Sequence, residues 1–358
     1  MTTNPIDPEL ADGRSFRTPS DHTGYVQGLD ETARRLARRP WPTRPLQRDV
    51  TVSFEYFPTN SDSAAAALAD CADRLDVVNP AYISVTYGAG GSSRERTFAT
   101  IERLQSTISS PVAGHLTTVN ATRAQTLAVI DRYLEMGVRH IVALRGDPPA
   151  DATGRPDAAT KGVGYTTATE LVAAVRAQAL KHTDDHVTIS VAAYPEVHPK
   201  ARSAEADLAN LAEKIEAGAD QAITQFFYDN GNYLEFLARC REARISVPIV
   251  AGIMPVTSFT RVSNFAERCG THIPEWMTDL YRGLDEAPDV HQLVSATLAA
   301  EQCRELAEHG VHRFHFYTMN RPELTLSTCR LLGFGRPAQV DAAGRAGAVE
   351  TGGHAQAS

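Results

Sequence analysis

Basic residues are in the minority in this chain of 358 residues, with 35 Lys and Arg against 43 Asp and Glu and a formal net charge of −8. Proteins that grip phosphate backbones carry a basic excess or stripe, so nucleic acid is not an expected partner. No stretch reaches the roughly 18 consecutive apolar residues of a membrane span, and the N-terminus lacks the apolar core of a secretory signal. Neither a membrane partner nor export is expected. Cysteine is scarce and scattered: Cys71, Cys240, Cys269, Cys303 and Cys329 form no C-x-x-C pair and no cluster with histidine at zinc-ligand spacing. Such a set reads as reduced thiols in a cytoplasmic protein, with no metal implied.

What is present is ordinary apolar content, 42 %, enough for a sizeable core. Residues 1–48 are polar and rich in Pro, Gly and Arg, with only Leu29 to Arg39 suited to a short amphipathic helix, and they read as an arm. Asp7, Glu9, Asp12, Asp21, Asp30 and Glu31 contradict the acid-poor composition of a transit peptide. The tail, 336–358, is dominated by Ala and Gly and is expected to be disordered.

Between them, in 49–335, short β-rich runs start near Thr51, Tyr82, Val112, His140, Val187, Gln221, Val247 and Arg313. They are apolar on both parities, as strands buried on both faces of a parallel sheet are. Helical patterns follow most of them. Asn120 is the expected N-cap for a helix carrying Leu127, Ile130 and Leu134, with Gly137 as its left-handed stop. Ser203 is the expected cap for one carrying Leu208, Leu211 and Ile215, ending at Gly218. Eight unbroken alternations predict an α/β fold, a (β/α)8 TIM barrel, with an open doubly wound sheet as the alternative. Pro255 to His312 is too long for one crossover, which predicts extra helices between strands 7 and 8, around Ile273 to Leu284 and Val290 to His309.

Function in a barrel gathers at the C-terminal ends of the strands. On the first strand Ser53, Glu55 and Phe57 share one parity, so Glu55 is a carboxyl inside an apolar strand. Desolvation favours its protonated, donating form; pairing with a structural arginine is the competing reading. The fourth run ends in Arg145-Gly146-Asp147-Pro148-Pro149, a charge pair after Ile-Val-Ala-Leu, which is also compatible with a structural ion pair. Gln225 is a buried amide in need of partners. Tyr317 and Arg321 share a parity and are expected to point the same way. Asp207, Asn210 and Lys214 form a polar stripe at i, i+3, i+7, whose commoner meaning is a solvated face. Gly88-Ala89-Gly90-Gly91 does not spell the Rossmann fingerprint. His312 and His315, three apart, are expected on opposite faces of the last strand.

Most of these residues lie in segments that closely resemble the bacterial methylenetetrahydrofolate reductases: VSFEYFP at Val52 to Pro58, SVTYGAGGS at Ser84 to Ser92, HIVALRGDPP at His140 to Pro149, VAAYPEVHP at Val191 to Pro199, AITQFFYD at Ala222 to Asp229, and FHFYTMNR at Phe314 to Arg321. The resemblance covers roughly 50–333. It implies an FAD-containing barrel that reduces 5,10-methylenetetrahydrofolate to 5-methyltetrahydrofolate with NADH or NADPH in two alternating half-reactions, supplying methyl groups for methionine synthesis. It further implies that Glu55 is the catalytic acid and that Asp147 stabilises developing positive charge. Thr86, His115, Arg145, Gly146, Asp147, Ala168, Tyr194, His198, Asp207, Asn210 and Lys214 match cofactor-binding positions. Glu55, Asp147, Gln225, Phe265, Tyr317 and Arg321 match substrate positions. Through the resemblance, the polar stripe becomes a ribose and pyrophosphate grip.

Two features depart from the family pattern: Arg261 stands where enteric relatives have a glutamine near the folate, and the N-terminal arm is longer. Homologues form homo-oligomers, and the same is expected here. The rival readings are a flavin barrel of the proline dehydrogenase kind, a flavin-independent reductase, and a non-catalytic folate- or flavin-binding protein. Glu55 and the RGDPP ending favour the folate enzyme, and the FAD-side positions favour a flavin.

Overall fold

The computed structural model describes residues 46, 50–87, 91–119, 121–146 and 164–335, with backbone alone at 91–93. The expected arm and tail therefore lie outside the described residues, apart from Leu46. Eight parallel strands close into one barrel in sequence order, with β1 hydrogen-bonded to both β2 and β8. The order is β1 (Thr51–Tyr56), α1 (Asp62–Asp76), β2 (Tyr82–Val85), α2 (Gly91–Thr107), β3 (Val112–Thr117), α3 (Arg123–Glu135), β4 (His140–Leu144), α4 (Ala168–His182), β5 (Thr188–Ala193), α5 (Ala204–Glu216), β6 (Gln221–Thr224), α6 (Asn230–Glu242) and β7 (Ile249–Ile253). After β7 come α7 (Phe259–Cys269), α8 (Glu275–Tyr281), a 3-10 turn (Leu284–Glu286) and α9 (Pro288–Glu308), then β8 (Arg313–Tyr317) and α10 (Pro322–Leu332). The closed barrel excludes the open-sheet alternative. The insertion before β8 holds α8 and α9 where extra helices are expected, and also α7, which the apolar spacing did not signal.

Strand alternation sorts the side chains into two layers. Val52, Phe54 and Tyr56, like Ile83, Val85, Ile141, Ile189, Val191, Phe314 and Phe316, face the helices and join the principal apolar cluster with Leu68, Leu75, Ile101 and Ile130. Complete burial of each large apolar side chain stabilises the fold by about 1.5–3 kcal/mol. Tyr133 of α3 is buried against β3, its hydroxyl donating to the His115 carbonyl at 2.8 Å. A Cβ at Gly114 would come within 2.7 Å of that ring, so the glycine is what lets α3 approach the sheet.

Helix ends follow the side chains available. Ser203 caps α5 by accepting from the Ala206 amide, and Gly137 and Gly218 take positive φ, +79° and +114°, after α3 and α5. The cap of α3 corrects the sequence expectation. Thr122, not Asn120, accepts from the Gln125 amide at 3.2 Å while Gln125 accepts from the Thr122 amide at 2.9 Å, a reciprocal capping box. Asn120 lies outside the described residues. No helix among the described residues is long and apolar enough to cross a membrane.

Candidate active site

The inner layer of the barrel is unusually polar. Where barrels of this kind pack branched aliphatic side chains, this lumen buries Ser53, Glu55, Ser84, His115, His140, Ser190, Gln221 and His315 around a small apolar group of Tyr82, Ala113, Val142, Ile223 and Val250. Each polar residue arrives on the strand parity opposite to the helix-facing one.

Glu55 sits at the C-terminal end of β1, in register with Ser84 on one side and Tyr317 on the other. Its carboxyl is 12 % exposed, enough to reach the mouth of the barrel. The basic groups facing it among the described residues are two imidazoles, so the competing reading of an arginine partner does not hold for them. His115 Nε2 lies 3.6 Å and His315 Nε2 3.9 Å from the same oxygen, Oε2. His115 also meets Ser84 Oγ at 3.1 Å. Burial drives the His115 pKa down to about 4 against the pull of Glu55, so the ring is neutral at neutral pH. A carboxyl beside imidazoles, rather than neutralised by a fixed cation among the described residues, is able to cycle its proton.

Tyr317 closes the lumen beside this group. Its hydroxyl donates to the Thr224 carbonyl at 2.7 Å, and its ring meets His315 edge-on at 5.5 Å. This approach needs Gly252, where a Cβ would lie 2.1 Å from the Thr224 carbonyl oxygen and 2.9 Å from the Tyr317 ring. Arg321 does not share the Tyr317 direction as the alternation implied. β8 stops at Tyr317, and Met319 and Asn320 both take positive φ, which breaks the strand parity before the exposed Arg321 at the start of α10.

An aromatic wall continues from Tyr317. Phe226, just after β6, stacks on Phe265 of α7 with ring centres 5.5 Å apart and meets Tyr317 edge-on at 6.4 Å. Gln225, the preceding residue, is half-buried, and its Oε1 accepts from the Phe226 amide at 3.1 Å. The amide nitrogen of its side chain is thereby turned away from that contact. Arg261 is exposed on the same helix as Phe265. Phe226 is the member of this wall that the sequence did not single out; it lies on the helix-facing parity of a strand that has already ended.

A second cluster forms where β5 hands over to α5. Tyr194 and His198 meet edge-on at 4.4 Å, the His198 amide donates to Asp207 Oδ2 at 3.0 Å, and Lys214 Nζ donates to the Ala192 carbonyl at 2.7 Å. Lys214 is 6 % exposed, and burial lowers its pKa to about 8 despite the opposing influence of Asp207. The polar stripe is thus not a solvated face at Lys214, while Asn210, on the same stripe, is exposed. At the end of β4, Arg145 is exposed and its carbonyl accepts from both the Thr118 amide and hydroxyl, at 3.2 and 2.8 Å. Gly146 follows with φ +74°, packed so closely on Thr117 that a Cβ would clash at 2.9 Å. The Thr117 hydroxyl is buried without a hydrogen-bond partner among the described residues, a second feature the sequence did not signal.

Thr86 and Ala168 lie on the same side of the barrel, directly after β2 and at the first turn of α4. Asp147 falls outside the described residues. The chain therefore brings Glu55, His115 and Tyr317 together in one group, and Tyr194, His198, Asp207 and Lys214 in another. The two are joined through adjacent strands: the Gln225 amide donates to the Ala193 carbonyl at 2.8 Å. A buried ammonium, an exposed guanidinium, a pair of rings and an unpartnered hydroxyl suit a ligand with an anionic portion and a planar one.

Similarity to known proteins identifies a family. The methylenetetrahydrofolate reductase family model matches residues 42–333. The chain is 43 % identical over 288 residues to the 5,10-methylenetetrahydrofolate reductase of Pectobacterium carotovorum, covering 80 % of this chain and 92 % of that one. It is 41 % identical, with the same coverage, to the enzyme of that name from Escherichia coli K12. A match of this extent, over all eight strands of a barrel whose mouth carries a buried acid, means that the chain belongs to the methylenetetrahydrofolate reductase family.

Proposed function

We propose that the protein reduces 5,10-methylenetetrahydrofolate to 5-methyltetrahydrofolate at the C-terminal mouth of the barrel, using FAD and a reduced nicotinamide, NADH or NADPH. The observation that carries the reading is the Glu55 carboxyl, buried beside two imidazoles yet open to the mouth. Opening the five-membered ring of the folate requires a proton on a weakly basic nitrogen, and Glu55 is positioned to supply it. General acid catalysis of this kind is worth about 10²–10⁴ in rate.

The residues present fit a flavin dinucleotide. Lys214 and Arg145 supply positive charge for the pyrophosphate, Asp207 and Asn210 are polar groups for a ribose, and Tyr194, His198, Thr86, Thr117 and Ala168 border the same region. When bound, FAD supplies the hydride chemistry, accepting from the nicotinamide and donating to the folate in successive half-reactions. The chain's own part is to orient and to move protons. His115 and His315 flank one oxygen of Glu55 at 3.6 and 3.9 Å. Gln225 offers its amide to the pterin, and the Phe226–Phe265 stack supports the aromatic portion of the folate. Asp147, by its family role, would supply negative charge that stabilises the developing cation. Cytoplasmic residence is in keeping with five cysteines that are all free thiols.

The test is Glu55→Gln, which keeps size and hydrogen bonding while removing the transferable proton. The variant is expected to bind FAD and oxidise NADH with an artificial acceptor, and to lose folate reduction by about 10²–10⁴. Undiminished folate reduction would overturn the acid assignment, and a colourless yet active preparation would remove FAD.

A further inference from the structure

Below Glu55, toward the opposite end of the barrel, runs a file of buried polar side chains that the reaction does not explain. It starts from an exposed residue, Arg313, the first of β8, on the edge of a cleft of about 780 Å³ at the N-terminal mouth. Arg313 Nη1 donates to Gln221 Oε1 at 3.3 Å. Gln221 Nε2 lies 2.9 Å from Ser190 Oγ and 3.5 Å from the Tyr82 hydroxyl. The Tyr82 hydroxyl is in hydrogen-bonding contact with Ser53, whose Oγ is 2.7 Å from His315 Nδ1 and 3.4 Å from the Phe314 carbonyl. The file ends at His315 Nε2, buried without a hydrogen-bond partner among the described residues and 3.9 Å from Glu55 Oε2.

Donor and acceptor roles along this file are traced from its first member, with the shorter contact taken where a group has two acceptors. A guanidinium only donates, so Gln221 must present its carbonyl oxygen to Arg313 and its NH2 to Tyr82 and Ser190. The Tyr82 oxygen then accepts, which leaves its own hydrogen for Ser53. Ser53, accepting from Tyr82, gives its hydrogen to the nearer of its two acceptors, His315 Nδ1 at 2.7 Å rather than the Phe314 carbonyl at 3.4 Å. A neutral imidazole that accepts at Nδ1 carries its hydrogen at Nε2. We infer that Arg313, Gln221, Tyr82 and Ser53 are positioning residues that lock His315 as the Nε2–H tautomer, so that an N–H faces Glu55 Oε2 and the transferable proton of the acid is carried on Oε1. His115 approaches the same oxygen, at 3.6 Å, which leaves Oε1 the freer of the two.

A side branch follows the same logic with the opposite outcome. Ser190, accepting from Gln221, gives its hydrogen to His140 Nε2 at 2.6 Å, which fixes His140 as the Nδ1–H tautomer. Two neighbouring lumen histidines thus carry opposite tautomers set by one guanidinium. The tautomers stand independently of the function; the effect on proton delivery rests on the reading of Glu55 as the acid.

The experiment uses the purified full chain labelled with 15N-histidine, with His315 and His140 assigned by loss of their signals in His315→Gln and His140→Gln. Nitrogen shifts are expected to show a proton on Nε2 of His315 and on Nδ1 of His140. In Gln221→Glu a group that only accepts replaces the amide, Tyr82 turns its hydrogen toward it, and His315 is expected to switch to the Nδ1–H form. Tyr82→Phe cuts the file without adding charge. It is expected to slow the folate half-reaction roughly 10- to 100-fold relative to the nicotinamide half-reaction, as misplacement of a reacting group does.

An Nδ1–H signal for His315 in the parent protein, or an unchanged His315 spectrum in Gln221→Glu, overturns the tautomer assignment. Equal rates, or equal slowing of both half-reactions, in Tyr82→Phe overturns the positioning role. Folate reduction that survives Glu55→Gln overturns the acid reading instead and leaves the tautomer result standing.

Discussion

Phe54 and Glu55 are neighbours on one strand and belong to different environments. Phe54 faces the helices, fully buried, with Phe316 at 6.1 Å, while Glu55 faces the lumen among imidazoles and serines. The outer layer is a dry apolar shell whose contacts are non-directional, so its contribution scales with area removed from water. The inner layer is held by directed hydrogen bonds, in which each group constrains the next. The difference teaches that one sheet separates two tasks: stability on its outer face, proton placement on its inner one.

The sharpest way to test that division is to truncate each layer in turn. Phe54→Ala is expected to cost about 3–5 kcal/mol of stability, measured by denaturant unfolding, with the rate ratio of the two half-reactions unchanged. Loss of that ratio would break the comparison. Acid unfolding probes the inner layer. Burial lowers the pKa of His115 to about 4 and of His140 to about 3, below the 6.5 of the free side chain. The unfolded chain therefore binds more protons than the folded one within this window, and stability falls as pH drops from about 6.5 toward 4 and 3. Each shift corresponds to about 3–5 kcal/mol at the acid limit. His140→Gln is expected to flatten the curve of unfolding free energy against pH.

Gly252→Ala sits where the two layers meet. Its new methyl would press on the Thr224 carbonyl and the Tyr317 ring, for an expected loss of about 1–3 kcal/mol together with slower folate reduction, visible in thermal melts and single-turnover kinetics. The smallest effect is expected at Lys214. Its ammonium titrates near 8 because of burial, so its attraction for a pyrophosphate weakens as pH rises through that value. FAD retention is expected to fall above pH 8 by roughly tenfold, about 1.4 kcal/mol, and to lose this pH dependence in Lys214→Met; equilibrium dialysis measures both.

Much of the fold was legible because its signals are local. Six of the eight strands begin at the residue where an apolar run starts, and β5 and β7 begin one and two residues later. Gly137, Gly218 and Ser203 terminate or start helices as their backbone and side-chain preferences require. The α3 cap was misassigned because Asn120 and Thr122 are both good caps in isolation, and only the reciprocal bond with Gln125 distinguishes them. Arg321 was misdirected because parity was carried past two left-handed residues that end the strand. In the site, Glu55 stood out as a charge in an apolar strand. Phe226, Thr117 and the file through Tyr82 did not, since an aromatic or hydroxyl residue in a strand is commonplace until its neighbours are known.

Readable along the chain were the alternation of strands and helices, which residues of a strand share a face, and the family. These depend on spacing along the chain, which covalent geometry turns directly into direction in space. Only the closed tertiary structure decided that His115 from β3 and His315 from β8 meet at one oxygen of Glu55, or that Arg313 is linked to it through Gln221, Tyr82 and Ser53. Those contacts join residues as far as 262 positions apart. Their distances and donor directions come from barrel closure and register, which no local pattern encodes.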